Sequence, residues 1–264
     1  MSLTDPHAND SGNKALGDFL RSRRERLTPE EVGLKPQRRR RTAGLRREEV
    51  AERAGIGVDW LIRLEQGRAV SPSATTTDAL ARALKLTKAE HEHLRALTQN
   101  AGRRAFAPET VPEPIRRMIM SLNQPAYVTG RRWDVLAWNE AAEKLLAFGR
   151  LAPEDRNTLI TVLTNPASKR LFGAGWEDEA KRMVAEFRAT HDLWAGDPAF
   201  VDLLTRLEAG SPEFRKWWAT HDIAHAAAGR KQLHHPKKGA MKFDYVSFQS
   251  NDDPGLKLVI YTAV

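Results

Sequence analysis

The chain of 264 residues carries 42 Lys and Arg against 34 Asp and Glu, a formal net charge of +8, and no cysteine. Such a length accommodates two domains of ordinary size, and the positive balance favours a polyanionic partner such as nucleic acid. The lack of cysteine excludes a disulfide framework, a thiolate metal site and a thiol nucleophile. Residues 1–13 are polar, without the apolar stretch of a secretory signal, and read as a disordered lead-in. No apolar run reaches the ~20 residues a membrane helix needs, so a soluble, cytoplasmic chain is expected.

A first helix is predicted from Lys14, with Leu16, Phe19 and Leu20 on one side and Leu27 near its end, before Pro29 and Gly33 break the pattern. In the stretch GLKPQRRRRTAGLRR that follows, Lys35, Arg38, Arg39, Arg40, Arg41, Arg46 and Arg47 face no acidic residue. A charge run on its own is usually a solvated surface. This one leads into LRREEVAERAGIGVDWLIRLEQGR, from Leu45 to Arg68. There Val50, Ala51 and Ala54 share one face of a short helix beginning near Arg46. Gly55 supplies a left-handed turn, and Trp60, Leu61 and Leu64 form the buried stripe of a second helix stopped by Gly67. A plain helical hairpin would also use Ala51 and Leu61, but it has no need of Gly55 at that spacing. Small residue, Gly four positions on and an aliphatic six further is the helix-turn-helix pattern, whose second helix enters the major groove. Beyond Gly67, Ser71-Pro72 and Thr87 are expected to open two more helices. Leu80, Ala83, Leu84, Leu94 and Leu97 then complete an all-α domain of five helices over residues 14–98. His91 and His93, two apart, point to different sides and read as a solvated face.

This segment resembles the DNA-binding unit of Xre and phage-repressor-like regulators. Position in that motif implies base-edge contacts from Val58, Asp59 and Arg63, with Asp59 equally readable as a helix cap. Arg46, Arg47, Arg68 and the run Arg38–Arg41 are implied phosphate contacts, the run as an arm on the DNA.

Residues 99–114, with Gly102 and three prolines, read as an interdomain linker. Over 115–264 the pattern changes to strand at Tyr127-Val128, a turn at Gly130, a strand from Trp133 to Trp138 and a helix capped by Asn139. Helices follow from about Thr158 to Ala228. Strands then return through Phe243, Tyr245, Val246 and Phe248, turn at Asn251–Gly255, and end in LKLVIYTAV. This order predicts an α+β domain around one antiparallel sheet, and its opening resembles a PAS domain. The arginine-rich insert, LEQGR, GRRWDVLAWN, SPEFRKWWATHDI, the HHP strand and the final VIYTA together resemble the MmyB-like regulators. That resemblance implies an Xre-type domain joined to a PAS-like ligand-binding domain, and an apolar effector such as a fatty acid.

Trp133, Trp138, Trp217 and Trp218, with His221 as a polar contact, are the candidate pocket, although aromatic residues at such spacing are commonly core. His221 and His225 stand four apart on an expected helix and could be half of a zinc site, but no third ligand accompanies them. A hydrolase built on His221 and Asp222 lacks any nucleophile motif, and no nucleotide-binding glycine loop occurs. The expectation is therefore a non-enzymatic DNA-binding regulator without metal or cofactor. It is expected to act as a homodimer on double-stranded DNA, with a C-terminal domain that senses an apolar effector or, alternatively, only dimerises or binds a partner.

Overall fold

A computed structural model of the protein describes residues 6–34, 44–68, 71–99, 105–225 and 228–264. The arginines Arg38–Arg41 lie outside these described residues. The chain divides into two compact units. The helical unit gathers residues up to Phe106, Arg188–Val201 and Thr220–Ala224; the sheet unit takes the remainder.

The helical unit opens with α1 (Pro6–Arg26), so residues 6–13, expected to be a lead-in, are already helical. The chain then passes through α2 (Arg47–Ala54), α3 (Val58–Glu65), α4 (Ala74–Ala83) and α5 (Lys88–Gln99). Gly55 ends α2 at φ 66°, a left-handed conformation that costs an L side chain about 1–2 kcal/mol. The helix α4 is capped by Ser73, whose hydroxyl accepts from the Thr76 amide at 3.2 Å, rather than by Ser71. Thr87 and Glu90 form a reciprocal cap at the start of α5. Leu16, Phe19, Leu20, Val50, Ala51, Leu61, Leu64, Leu80 and Leu94 are buried together as one core. Truncating one such leucine costs about 2–5 kcal/mol.

Two later segments complete this core. Leu193, in the 3-10 turn Asp192–Trp194, and Ile223 pack against it. The expected linker is anchored too: the Phe106 amide donates to Asp197 Oδ2 at 2.8 Å, and its ring meets Trp194 and Phe200 edge-on.

The sheet unit starts with α6 (Glu113–Ser121), β1 (Ala126–Thr129), β2 (Val135–Trp138) and α7 (Glu140–Leu146). Then come α8 (Thr158–Thr164), α9 (Pro166–Phe172), α10 (Trp176–His191), α11 (Pro198–Gly210) and α12 (Pro212–Trp218). The strands β3 (Gly229–His235), β4 (Gly239–Gln249) and β5 (Lys257–Ala263) close the unit. All pairings are antiparallel and the order is β2-β1-β5-β4-β3. Asn139 holds the first corner. It caps α7 by accepting from the Ala142 amide at 2.9 Å, and its amide nitrogen reaches the carbonyls of Ile119, Leu122 and Gln124.

Strand alternation separates the two faces of this sheet. Ala126 and Val128, with Leu258 and Ile260 beside them, pack against Ile115 and Ile119 of α6. Tyr127, Thr129, Lys257, Val259, Tyr245 and Ser247 lie on the opposite face. Two sequence expectations fail here. Trp133 lies in the turn before β2 with φ 69°, not in a strand. His221 follows the end of α12 at φ 53°, so no helix sets it four residues from His225.

Candidate DNA-facing surface and effector cavity

In the helical unit, the exposed side of α3 carries Asp59 and Arg63, one turn apart. Gln66 is exposed three residues further on and continues the same stripe; helical periodicity through LEQGR is the sequence signal for it. Val58 is half-buried and packs on the core, so only part of it is presented. The N-cap of α3 is Gly57, and no side chain caps the helix, so Asp59 is not the cap. Arg68 is exposed just beyond the helix.

Arg46 is the N-cap of α2, and its amide donates to Glu49 Oε2 at 2.7 Å. Arg47 is half-exposed but engaged, with Nε donating to Glu65 Oε2 at 2.8 Å. Glu65 is the residue that motif reading overlooks. Its side chain is buried and also receives Arg24 Nε at 2.6 Å and Arg24 Nη2 at 3.0 Å. Burial alone would lower the Arg24 pKa, but Glu65 outweighs it and leaves the guanidinium pKa above its ordinary value. The Glu of LEQGR therefore ties the start of α2 and the end of α1 to the recognition helix. Arg21 adds a bond to the Glu65 carbonyl at 2.8 Å.

His93, expected on a solvated face, is buried. It pairs with Asp192 at 3.1 Å through Nε2 and meets Phe19 edge-on at 5.1 Å. Asp192 is held well below the usual carboxylate range: burial opposes this, but His191, His93 and Arg188 prevail. His221 belongs to this unit as well. Its carbonyl accepts from Arg23, and its Nδ1 lies 3.3 Å from Arg188 Nη1. Burial, then the charge of Arg188, lowers its pKa.

In the sheet unit a cavity of about 60 Å³ lies between the sheet and α10. The sheet contributes Tyr127, Thr129, Tyr245, Ser247, Lys257, Val259 and Lys231. The helical wall is Glu179, Arg182, Met183 and Glu186, with Thr158 and Trp133 at its margin. A cleft of about 400 Å³ shares Glu179, Arg182 and Lys231 with it and continues past Phe172, Ala174 and Gly175. Lys231 Nζ joins Glu179 Oε1 at 2.7 Å and the Tyr261 hydroxyl at 3.2 Å. Arg182 is shared between Glu179 and Glu186.

Lys257 differs from these cations. Its ammonium stands 5.5 Å from the centre of the Trp133 ring, and among the described residues it has no ion pair or hydrogen bond. Burial lowers its pKa and raises that of Glu186; burial also raises Tyr245 and Tyr261, keeping these hydroxyls protonated as donors. The cavity wall is thus far more polar than the expected tryptophan box.

Of the five expected pocket residues, Trp133 alone lines the cavity. Trp138 sits on the edge strand β2, donating Nε1 to Glu143 at 2.9 Å and packing on Phe148. Trp217 is buried against Trp176, and Trp218 stacks on Phe214 at 5.2 Å. Trp217 is core, Trp138 and Trp218 are half-buried against aromatic neighbours, and His221 lies in the helical unit. Sequence reading missed the charged lining, although period-two alternation in KLVIYTA places Lys257, Val259 and Tyr261 on one face. The spacing of Glu179, Arg182, Met183 and Glu186 likewise marks one face of α10. Among the described residues no cluster of three metal-ligating side chains occurs, and no helix is long and apolar enough to cross a membrane.

A helix-turn-helix unit followed by a sheet domain with a cavity beside α10 is the arrangement of a DNA-binding regulator with a ligand-binding domain. Residues 15–94 match the helix-turn-helix domain family, and residues 111–264 match the MmyB-like transcription regulator ligand binding domain. The second match covers more than half of the chain, which belongs to the MmyB-like transcription regulators, a non-enzymatic family. No curated protein matches the chain.

Proposed function

We propose that the protein reads a specific operator in double-stranded DNA as a cytoplasmic homodimer, and that a small hydrophobic acid such as a fatty acid acts on it through the sheet unit. Val58, Asp59 and Arg63 address base edges. Arg46, Arg47 and Arg68 reach phosphates, as do Arg38–Arg41 outside the described residues. The observation that carries the effector reading is the Lys257 ammonium, facing a cavity beside Trp133 and Met183 with no carboxylate of its own. A space of about 60 Å³ suits a headgroup, and the adjoining cleft of about 400 Å³ suits the remainder of a small ligand.

Saturated fatty acids from octanoate to hexadecanoate, titrated into the full chain, test this. Binding to the folded state alone raises stability by about 2.7 kcal/mol at a hundredfold excess over Kd. Tryptophan emission shifts with it, because Trp133 lines the site, and Lys257→Ala removes both responses. No thermal shift and no emission change with any chain length would overturn the effector reading.

A further inference from the structure

Three cations line the cavity of the sheet unit, Arg182, Lys231 and Lys257, and two carboxylates accompany them, Glu179 and Glu186. Glu179 takes Lys231 at 2.7 Å and Arg182 at 2.7 Å, while Glu186 takes the other Nη of Arg182. Lys231 is further enclosed by aromatic rings, its ammonium 4.1 Å from the centre of Tyr245 and 5.4 Å from that of Tyr261. Both carboxylates are thus engaged before Lys257 arrives on β5. Among the described residues the Lys257 side chain meets the Trp133 ring and neither a carboxylate nor a hydrogen-bond acceptor. Burial lowers its pKa; Glu186 opposes this in part, and the charges of Arg182 and Lys231 add to it.

A lysine that is desolvated and crowded by other cations becomes a nucleophilic amine. An ordinary lysine, of pKa about 10.4, keeps roughly one amine in two thousand uncharged at pH 7, and each unit of lowering raises that share about tenfold. We propose that Lys257 is a covalent capture site for a short aliphatic aldehyde, held in the cavity as an imine. An aldehyde needs the amine of Lys257 where a fatty acid needs its ammonium, so capture does not rest on the fatty-acid reading. The Nζ lone pair adds to the carbonyl carbon, forming a C–N bond and a carbinolamine. The oxygen then leaves as water with both protons of the amine, and no oxidation or reduction occurs. Glu186, whose pKa burial raises, lines the same cavity and is suited to give a proton to the departing hydroxyl and recover it from nitrogen. A space of about 60 Å³ admits about four to six water-sized groups, which matches an aldehyde of a few carbons. Met183 and Val259 give its alkyl part an apolar wall, and the adjoining cleft of about 400 Å³ is an entry path.

Butanal with sodium cyanoborohydride, added to the full chain, tests this by turning an imine into a stable butyl-lysine that peptide mass spectrometry locates. At pH 7 Lys257 is expected to be labelled at least about tenfold faster than the exposed Lys237 and Lys238, and the excess is expected to vanish in urea. Without the reductant, butanal raises the unfolding temperature of the natural chain, whereas butanol, which has no carbonyl, does not; Lys257→Arg loses the response. Labelling that follows exposure, with Lys257 no faster than Lys237, overturns the proposal, as does an excess that survives in urea. Equal stabilisation by butanal and butanol overturns it as well. Sodium dodecanoate is added in parallel. Protection of Lys257 from butylation by dodecanoate supports both readings of the cavity. Preferential labelling that dodecanoate leaves unchanged upholds capture and counts against the fatty-acid reading, and dodecanoate binding without preferential labelling overturns capture alone.

Discussion

At Glu65 one carboxylate receives Arg24 from α1 and Arg47 from α2, and it is almost wholly removed from solvent. Removing it strands the Arg24 guanidinium inside the core, so Glu65→Ala should lower unfolding free energy by about 3–5 kcal/mol in urea titrations. An unchanged midpoint would show that the arginines find water instead. Asp192 provides a titration test. Its folded pKa lies below the ordinary carboxylate value, so the stability it supplies is present above that unfolded value, about 3.9, and is lost as pH falls toward the folded one. The stability difference between the natural chain and Asp192→Asn should be full near neutrality and shrink below about pH 4. A constant difference across that range would mean that the carboxylate charge contributes nothing.

Among the elements, α1 and α3 approach more closely than ordinary side chains permit. A Cβ on Gly17 would stand 2.7 Å from the Leu64 carbonyl oxygen and 2.8 Å from that of Glu65. Gly17→Ala must push the helices apart and should cost about 1–3 kcal/mol in stability, against the gain that Gly→Ala brings in an open helix. Calorimetry showing a stabilised variant would contradict the crossing described. The helix-turn-helix was legible in sequence because its determinants are local: an apolar period, a small residue at Ala51 and a left-handed glycine at Gly55. The cavity was not, because Lys231, Tyr245 and Lys257 come together only after β3, β4 and β5 pair. Trp133 and His221 misled for a related reason. Each takes a positive φ that sequence propensity does not anticipate, and so leaves the strand or helix to which its neighbours pointed.

For the molecule as a whole, the charge of +8 gives DNA binding a strong ionic component. Replacing Arg38–Arg41 with Ser should weaken binding to specific and random duplexes alike and reduce the salt slope by about one unit for each phosphate no longer neutralised. Arg63→Ala should cost about 1–3 kcal/mol on the operator and leave random DNA nearly unaffected. Salt titrations of both variants on both duplexes separate the two roles, and equal losses for Arg63→Ala would mean that α3 does not present it to bases. The change from a helical segment to a mixed α/β segment was readable from the sequence pattern. That Arg188–Val201 and Thr220–Ala224 join the helical unit was not, since no local pattern announces a core shared along the chain.

The position of β5 has a consequence for synthesis on the ribosome. It lies between β1 and β4, yet of the five strands it is the last to be made. Until Lys257–Ala263 has emerged from the exit tunnel, the β1-β2 hairpin and the β3-β4 hairpin have no strand to join them, and their edges stay open. The nascent sheet unit therefore waits as two separate hairpins until that strand arrives. A chain interrupted before β5 would carry the helix-turn-helix segment with an unfinished ligand-binding domain, so completion of that domain waits on the last strand made.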